Sequence, residues 1–370
     1  MGVGPWLSAN GTPPHLHFRA KIADTLGLCP RPSLFRLMTY FKKSHKYPSV
    51  QSKDLEFDGV TVRVYQPKAP CAGPRRGFLF FHGGMGLFGD IAYYEDICSR
   101  FCKDSETVVV SVDYRLAPEY GFPTQHNDCL AATVHFMKNT EAYGVDPSRV
   151  IVGGDSIGGN IASFVAQKLV ERSDLPKLRA QALIYPGLQA MDFSLPSYQQ
   201  NSMTPLLYKE TTIEYGLIYF GKPPSLKEQL MKGSHVPDDF RRKCEKWMSA
   251  DNIPEKFKRR GYKPVPLVPY KPEIYAQLSE ILETTFSSLL AEDSVIQKLP
   301  ETFILSCELD VLRDDSLLYK KRLEDNGVKV TWFHAKNGFH GVINLVGVRV
   351  LNLPVTTEIM DRINDFLKQL

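Results

Sequence analysis

Apolar and polar positions alternate over residues 60–65, the pattern of a strand with one face buried. Residues 77–81 form a short, nearly all apolar run, as in a strand covered on both faces. Residues 107–112, 149–152, 180–185, 302–306 and 328–333 have the same character. Between several of these runs the apolar spacing turns helical, over residues 93–101, 128–139, 157–172 and 314–325. Strands alternating with helices predict an α/β fold with a mostly parallel sheet flanked by helices. Residues 51–370 carry this rhythm. Residues 1–50 read as a helical lead-in, with Leu34, Phe35, Leu37, Met38 and Phe41 set among basic residues, and it is expected to contribute to a cap. From about 192 to 298 the rhythm breaks into a stretch rich in Pro, Lys, Tyr and Leu. That stretch predicts a lid-like helical insertion over the carboxyl edge of the sheet.

Composition removes several classes of function. Of 370 residues, 43% are hydrophobic and 23% charged, as in a soluble globular protein. A net charge of +4, with basic residues mostly scattered, does not suggest a nucleic-acid partner. The densest basic run, Lys256-Phe257-Lys258-Arg259-Arg260, reads as a solvated face. Seven cysteines, at 29, 71, 98, 102, 129, 244 and 307, include no C-x-x-C pair, and no zinc or other metal site is expected. No apolar run reaches 18 residues, so no membrane anchor is read in this chain; peripheral membrane association stays open. Asn10-Gly11-Thr12 is a glycosylation sequon that matters only on the secretory route.

The candidate chemistry begins at Ile151-Val152-Gly153-Gly154-Asp155-Ser156-Ile157-Gly158-Gly159-Asn160. A strand, the sequence G-x-S-x-G and a helix in that order predict a nucleophile elbow, with Ser156 exposed on a tight turn. The glycines leave room where side chains would collide. The helix N-terminus beneath the serine favours a developing oxyanion, and the Ile157 amide is a candidate donor to it. A serine needs a base that is itself oriented by an acid. After the strand at 302–306 stand Glu308, Asp310, Asp314 and Asp315, and position favours 308 or 310. After the strand at 328–333 stands His340 between Phe339 and Gly341, with His334 as its competitor. His82-Gly83-Gly84-Met85-Gly86, after an early strand, can bring bare amides of Gly83 and Gly84 to a substrate carbonyl.

Taken with Asp113-Tyr114-Arg115-Leu116-Ala117-Pro118-Glu119, these motifs resemble the hormone-sensitive-lipase group of α/β-hydrolases, and within it the arylacetamide deacetylase-like proteins. The resemblance runs from about residue 50 to the C-terminus. It implies an α/β-hydrolase fold and a serine carboxylic-ester hydrolase, acting on small hydrophobic esters or aryl amides without a cofactor. It implies a triad of Ser156, Asp310 and His340, an oxyanion segment of His82, Gly83 and Gly84, and a bracing role for residues 114–119. The membrane-bound members of the group carry a lumenal endoplasmic-reticulum anchor, which is not read in this sequence. Two residues depart from the group: Met85 stands for its third glycine, and Ile157 for a small residue. Both crowd the oxyanion side, which predicts short acyl groups. The alternative reading is a hydrolase-fold ligand-binding protein with little turnover.

Overall fold

The computed structural model describes Arg36 and residues 44–348 and 353–370, except 205 and 267. The lead-in residues Leu34, Phe35, Leu37, Met38 and Phe41, the sequon at Asn10 and Cys29 lie outside the described residues.

An eight-stranded sheet carries the fold, in the order β1-β2-β4-β3-β5-β6-β7-β8. Its strands are β1 (Val50–Phe57), β2 (Val60–Pro67), β3 (Arg75–Phe81), β4 (Val108–Val112), β5 (Val145–Asp155), β6 (Ala180–Ile184), β7 (Glu301–Leu309) and β8 (Val330–Phe339). β1 and β2 pair antiparallel, β2 pairs antiparallel with β4, and from β4 to β8 every pairing is parallel.

The all-apolar runs follow from burial on both faces, because side chains alternate along a strand. In β3, Leu79 and Phe81 enter one core and Phe78 and Phe80 the other. In β5, Val150 and Val152 enter the first core and Ile151 the second. Helices α1 (Glu95–Ser105), α2 (Thr124–Lys138) and α3 (Ile157–Leu169) follow β3, β4 and β5. α1 seals the second core with Ile97 and Phe101, whereas α2 and α3 seal the first with Phe136 and Ile161.

Between β6 and β7 the chain passes through α4 (Pro196–Gln200), α5 (Lys209–Tyr219), α6 (Lys227–Lys232), α7 (Asp238–Met248), α8 (Pro272–Leu278) and α9 (Asp293–Ile296). α10 (Arg313–Asp325) joins β7 to β8, and α11 (Pro354–Gln369) packs Ile359, Ile363 and Phe366 into the second core. Among the described residues no helix is long and apolar enough to cross a membrane.

Two elements, and the extension of a third, were not legible in the hydrophobic pattern. β1 has only Val50 and Phe57 buried, so its sequence is mostly polar; it is set by pairing with β2 through Phe57 opposite Val60. β8 continues past the expected end at 333 to Phe339, through Lys336 and Asn337, because an edge strand tolerates polar residues on its solvent side. His334 therefore lies inside the strand, and His340 follows directly on its end. α11 was likewise not anticipated.

β3 and the elbow after β5 approach so closely that a Cβ on Gly158 would lie 2.0 Å from the Phe81 carbonyl oxygen. Gly158→Ala is therefore expected to destabilise the protein by at least ~1–3 kcal/mol, since neither backbone can retreat from the other. Gly121→Ala, where a Cβ would meet nothing within 4 Å, is expected to stay within ~0.5 kcal/mol. Chemical denaturation of both variants checks the contrast, and equal stabilities would contradict it.

Candidate active site

Ser156 sits between β5 and α3 with φ 58° and ψ −121°, a conformation rarely taken by an L-residue. Its amide donates to the Ile184 carbonyl at 2.9 Å, which fixes the turn against the end of β6. The Ser156 Oγ lies 2.8 Å from His340 Nε2. His340 Nδ1 lies 2.9 Å from Asp310 Oδ2. Asp310 is fully buried, and its Oδ1 accepts the Leu312 amide at 2.8 Å, so the carboxylate is held from both sides. Ser156 and His340 are also buried, and the Tyr185 ring packs at 4.9 Å from the imidazole.

The other acids and the other histidine are engaged elsewhere. Glu308 falls within β7 and meets His334 Nε2 and Arg260, each at 3.0 Å. His334 Nδ1 lies 3.0 Å from Ser306 Oγ. Asp314 pairs with Arg313 at 2.9 Å and accepts the Ser197 amide at 2.6 Å. Asp315 accepts the Leu188 amide at 2.8 Å, and burial pushes its carboxyl up to about 7.

The segment His82-Gly83-Gly84 lies beside the elbow, with one correction. The Gly83 amide, expected to face a substrate, instead donates to Asp155 Oδ1 at 2.8 Å. A buried carboxylate takes the nearest donor, and Asp155 lies directly across the elbow. The amides of Gly84, Met85 and Ile157 have no acceptor among the described residues. Met85 holds φ 57°, the left-handed region that favours glycine. His82 is buried and stacks on Tyr114 at 4.2 Å; its Nδ1 is 2.7 Å from the Gly83 carbonyl, and burial lowers its pKa. Tyr114 donates to the His82 carbonyl at 2.7 Å, and the Ala117 amide to that of Gly86 at 2.9 Å, so residues 114–117 brace the glycine loop. Arg36 adds bonds to the Leu87 and Ala117 carbonyls and to Glu119.

Two contributors escaped sequence reasoning. Asp155 was visible within the motif, but its partners Gly83, Tyr94 and Tyr185 come from other elements. Asn201, in the insertion, donates to the Asp310 and Glu308 carbonyls at 2.8 and 3.0 Å, with no local signal to mark it.

An apolar pocket opens at Ser156, walled by Met85, Ile157, Phe193, Ile213, Phe220 and Phe286 among others. Among the described residues no cluster of three or more His, Cys, Asp or Glu is arranged to hold a metal ion.

A family model described as the alpha/beta hydrolase fold matches residues 78–242 and 268–344. The chain is 45% identical over 348 residues to mouse (Mus musculus) arylacetamide deacetylase-like 3, covering 94% of this chain and 85% of that protein. It is 40% identical over 319 residues to neutral cholesterol ester hydrolase 1 of Rattus norvegicus, covering 83% and 78%. Its fold is similar to that of a thermostable esterase from Pseudomonas putida, with a TM-score of 0.67 at 23% identity, covering 100% of this chain and 98% of that one.

Asp155 is fully buried, and burial raises its pKa to about 6 against an ordinary 3.8. An acid whose pKa is raised by folding binds a proton on folding between those values. Its contribution to stability is therefore lost as pH rises from about 4 to about 6. Asp155→Asn lacks that loss. Its stability relative to the unsubstituted protein is expected to improve by on the order of 3 kcal/mol across the window, at about 1.36 kcal/mol per unit, whatever its offset at pH 4. Parallel denaturation series at pH 4, 5, 6 and 7 measure the divergence; parallel curves would contradict the assignment.

Proposed function

The chain belongs to the arylacetamide deacetylase-like proteins of the α/β-hydrolase family, and on that footing we propose that it is a serine carboxylic-ester hydrolase working through Ser156, Asp310 and His340. The observation that carries this reading is the unbroken relay from Asp310 through His340 to Ser156, at 2.9 and 2.8 Å, opening on an apolar pocket.

In this reading Ser156 Oγ attacks the acyl carbonyl while His340 Nε2 takes the serine proton. Asp310 fixes the imidazole with its proton on Nδ1 and stabilises the cation that forms. The tetrahedral oxygen receives the amides of Gly84, Met85 and Ile157, which have no other acceptor among the described residues. Gly83 supports this hole indirectly, by tying the loop to Asp155. His340 then returns its proton to the leaving alcohol, and water repeats the sequence to release the acid. An aryl amide fits the same steps, because the protonated imidazole can supply its amine with a proton.

Met85 alters the hole less than its bulk suggests. It already adopts the backbone conformation that a glycine would, so its amide stays available while its side chain narrows the pocket. The insertion, about residues 192–298, acts as the lid of that pocket, supplying Phe193, Ile213, Phe220 and Phe286 to its wall. The substrate class is a small hydrophobic ester or aryl amide.

A fluorophosphonate is expected to label Ser156, with labelling absent in Ser156→Ala and sharply reduced in His340→Ala. Asp310→Asn is expected to keep the fold and lose about 10⁴ in kcat, because the imidazole then takes the wrong tautomer. Turnover of p-nitrophenyl acetate and mass-spectrometric labelling read the two effects. Folded protein that neither labels nor turns over would favour a ligand-binding role and sink the hydrolase reading.

A further inference from the structure

Helix α5 gives the pocket Thr212, Ile213 and Gly216, and Phe220 follows at its end. Residues 212, 216 and 220 are spaced by four, so they share one side of the helix, and the middle position of that stripe is empty. Glycine inside a helix is a poor choice unless the backbone or a neighbour requires it. Neither does here. Gly216 is not among the glycines with positive φ, and a Cβ placed on it would meet nothing within 4 Å. Gly158, by contrast, is forced by contact with Phe81. The fold therefore tolerates a side chain at 216, and the space left by its absence belongs to the pocket.

That space differs in character from the end near the nucleophile. Met85 and Ile157 narrow the pocket beside Ser156. Leu230, Ile281 and Phe286 also wall it with carbon. The Thr212 hydroxyl is committed to the Tyr208 carbonyl at 3.1 Å. The Gln189 amide donates to the Asp192 carbonyl, and its oxygen accepts the Met191 and Asp192 amides. The second Gln189 amide proton goes to Asp315 Oδ1 at 3.1 Å, so Gln189 has no donor left for a polar substituent, and the Thr212 proton is spent on its own helix.

Resting on the ester-hydrolase reading above, we propose that Gly216 is the specificity-determining position of the site: a notch that admits a flexible, unbranched hydrocarbon chain of the substrate past the constriction at Met85 and Ile157. The chain is slim near the carbonyl and apolar along its length. Its source, acyl or alcohol, is resolved by varying the two separately.

The experiment compares the unsubstituted protein with Gly216→Ala and Gly216→Phe on two series. One is p-nitrophenyl esters from acetate to octanoate; the other is alkyl acetates from methyl to octyl. In one series Gly216→Phe is expected to lower kcat/KM for the longest member by on the order of 10–100-fold and to leave the shortest nearly unchanged. Gly216→Ala is expected to trim only the longest members, and its melting temperature is expected to stay level or rise. A uniform fall across both series, or an unmoved profile in both, would overturn the proposal. Binding separates it from the hydrolase reading. In Ser156→Ala protein, the longest member of one series, p-nitrophenyl octanoate or octyl acetate, is expected to bind more tightly than its shortest, and Gly216→Phe to erase that preference. If turnover is absent but this preference is present and erased, the notch stands and the hydrolase reading fails. If neither octanoate over acetate nor octyl acetate over methyl acetate gains affinity in Ser156→Ala protein, the notch itself is refuted.

Discussion

A carboxylate removed from water is costly unless its lone pairs are answered by donors. Asp155, adjacent to Ser156, is such a group, and the donors that answer it organise the site. The Gly83 amide comes from the end of β3, the Tyr94 hydroxyl from the approach to α1, and the Tyr185 hydroxyl from the end of β6. Two strand ends and a helix start are thereby drawn onto one side chain. Tyr185 also packs against His340, so the same group reaches that imidazole through a shared aromatic ring. The next two amides of the loop, those of Gly84 and Met85, have no acceptor among the described residues.

The acid side of the site is held by a second buried network, which joins the insertion to the sheet. Arg313 is fully buried and donates to Gln200 and the Phe257 carbonyl while pairing with Asp314 and Glu308. Ser197 bonds Asp314 and the Val311 carbonyl, and Asn201 bonds the Asp310 carbonyl. Asp315 fastens Leu188 and Gln189 at the start of the insertion. The loop that positions Asp310 is thus part of the same rigid body as the walls of the pocket. Removing one partner from such a network leaves an uncompensated buried group, which costs more than the bond itself.

Among the described residues positive φ occurs at six non-glycine positions, and two of them, Ser156 and Met85, lie at the candidate site. Ser156 and Met85 hold φ near 58°, a region costing of order 1–3 kcal/mol for residues with side chains. Both positions are over-determined by their surroundings. Ser156 is pinned by Ile184 and by the close approach of Gly154 and Gly158 to Phe81. The Met85 loop is pinned by Gly83 to Asp155 and by Ala117 to Gly86. The inserted helices behave differently: α5 keeps an interior glycine that no backbone constraint explains, and there the empty volume is itself the feature.

The alternation of apolar strands with helices was readable because each central strand is buried on both faces and so carries an unbroken apolar run. The elbow was readable because a sharp strand-to-helix turn needs glycines within a few residues of the serine. The order serine, acid, histidine followed from the positions of strand ends along the chain. What lacked a local signal was decided by tertiary contact. β1 exists because β2 lies beside it, and β8 extends because an edge strand can carry polar residues. Among Glu308, Asp310, Asp314 and Asp315, spacing left more than one acid in contention. Only the fold delivers Asp310 to His340, while Arg313, His334, Ser197 and Leu188 engage the others. The turning of Gly83 toward Asp155 lies likewise beyond the sequence, because which way an amide points depends on an acceptor 72 residues away.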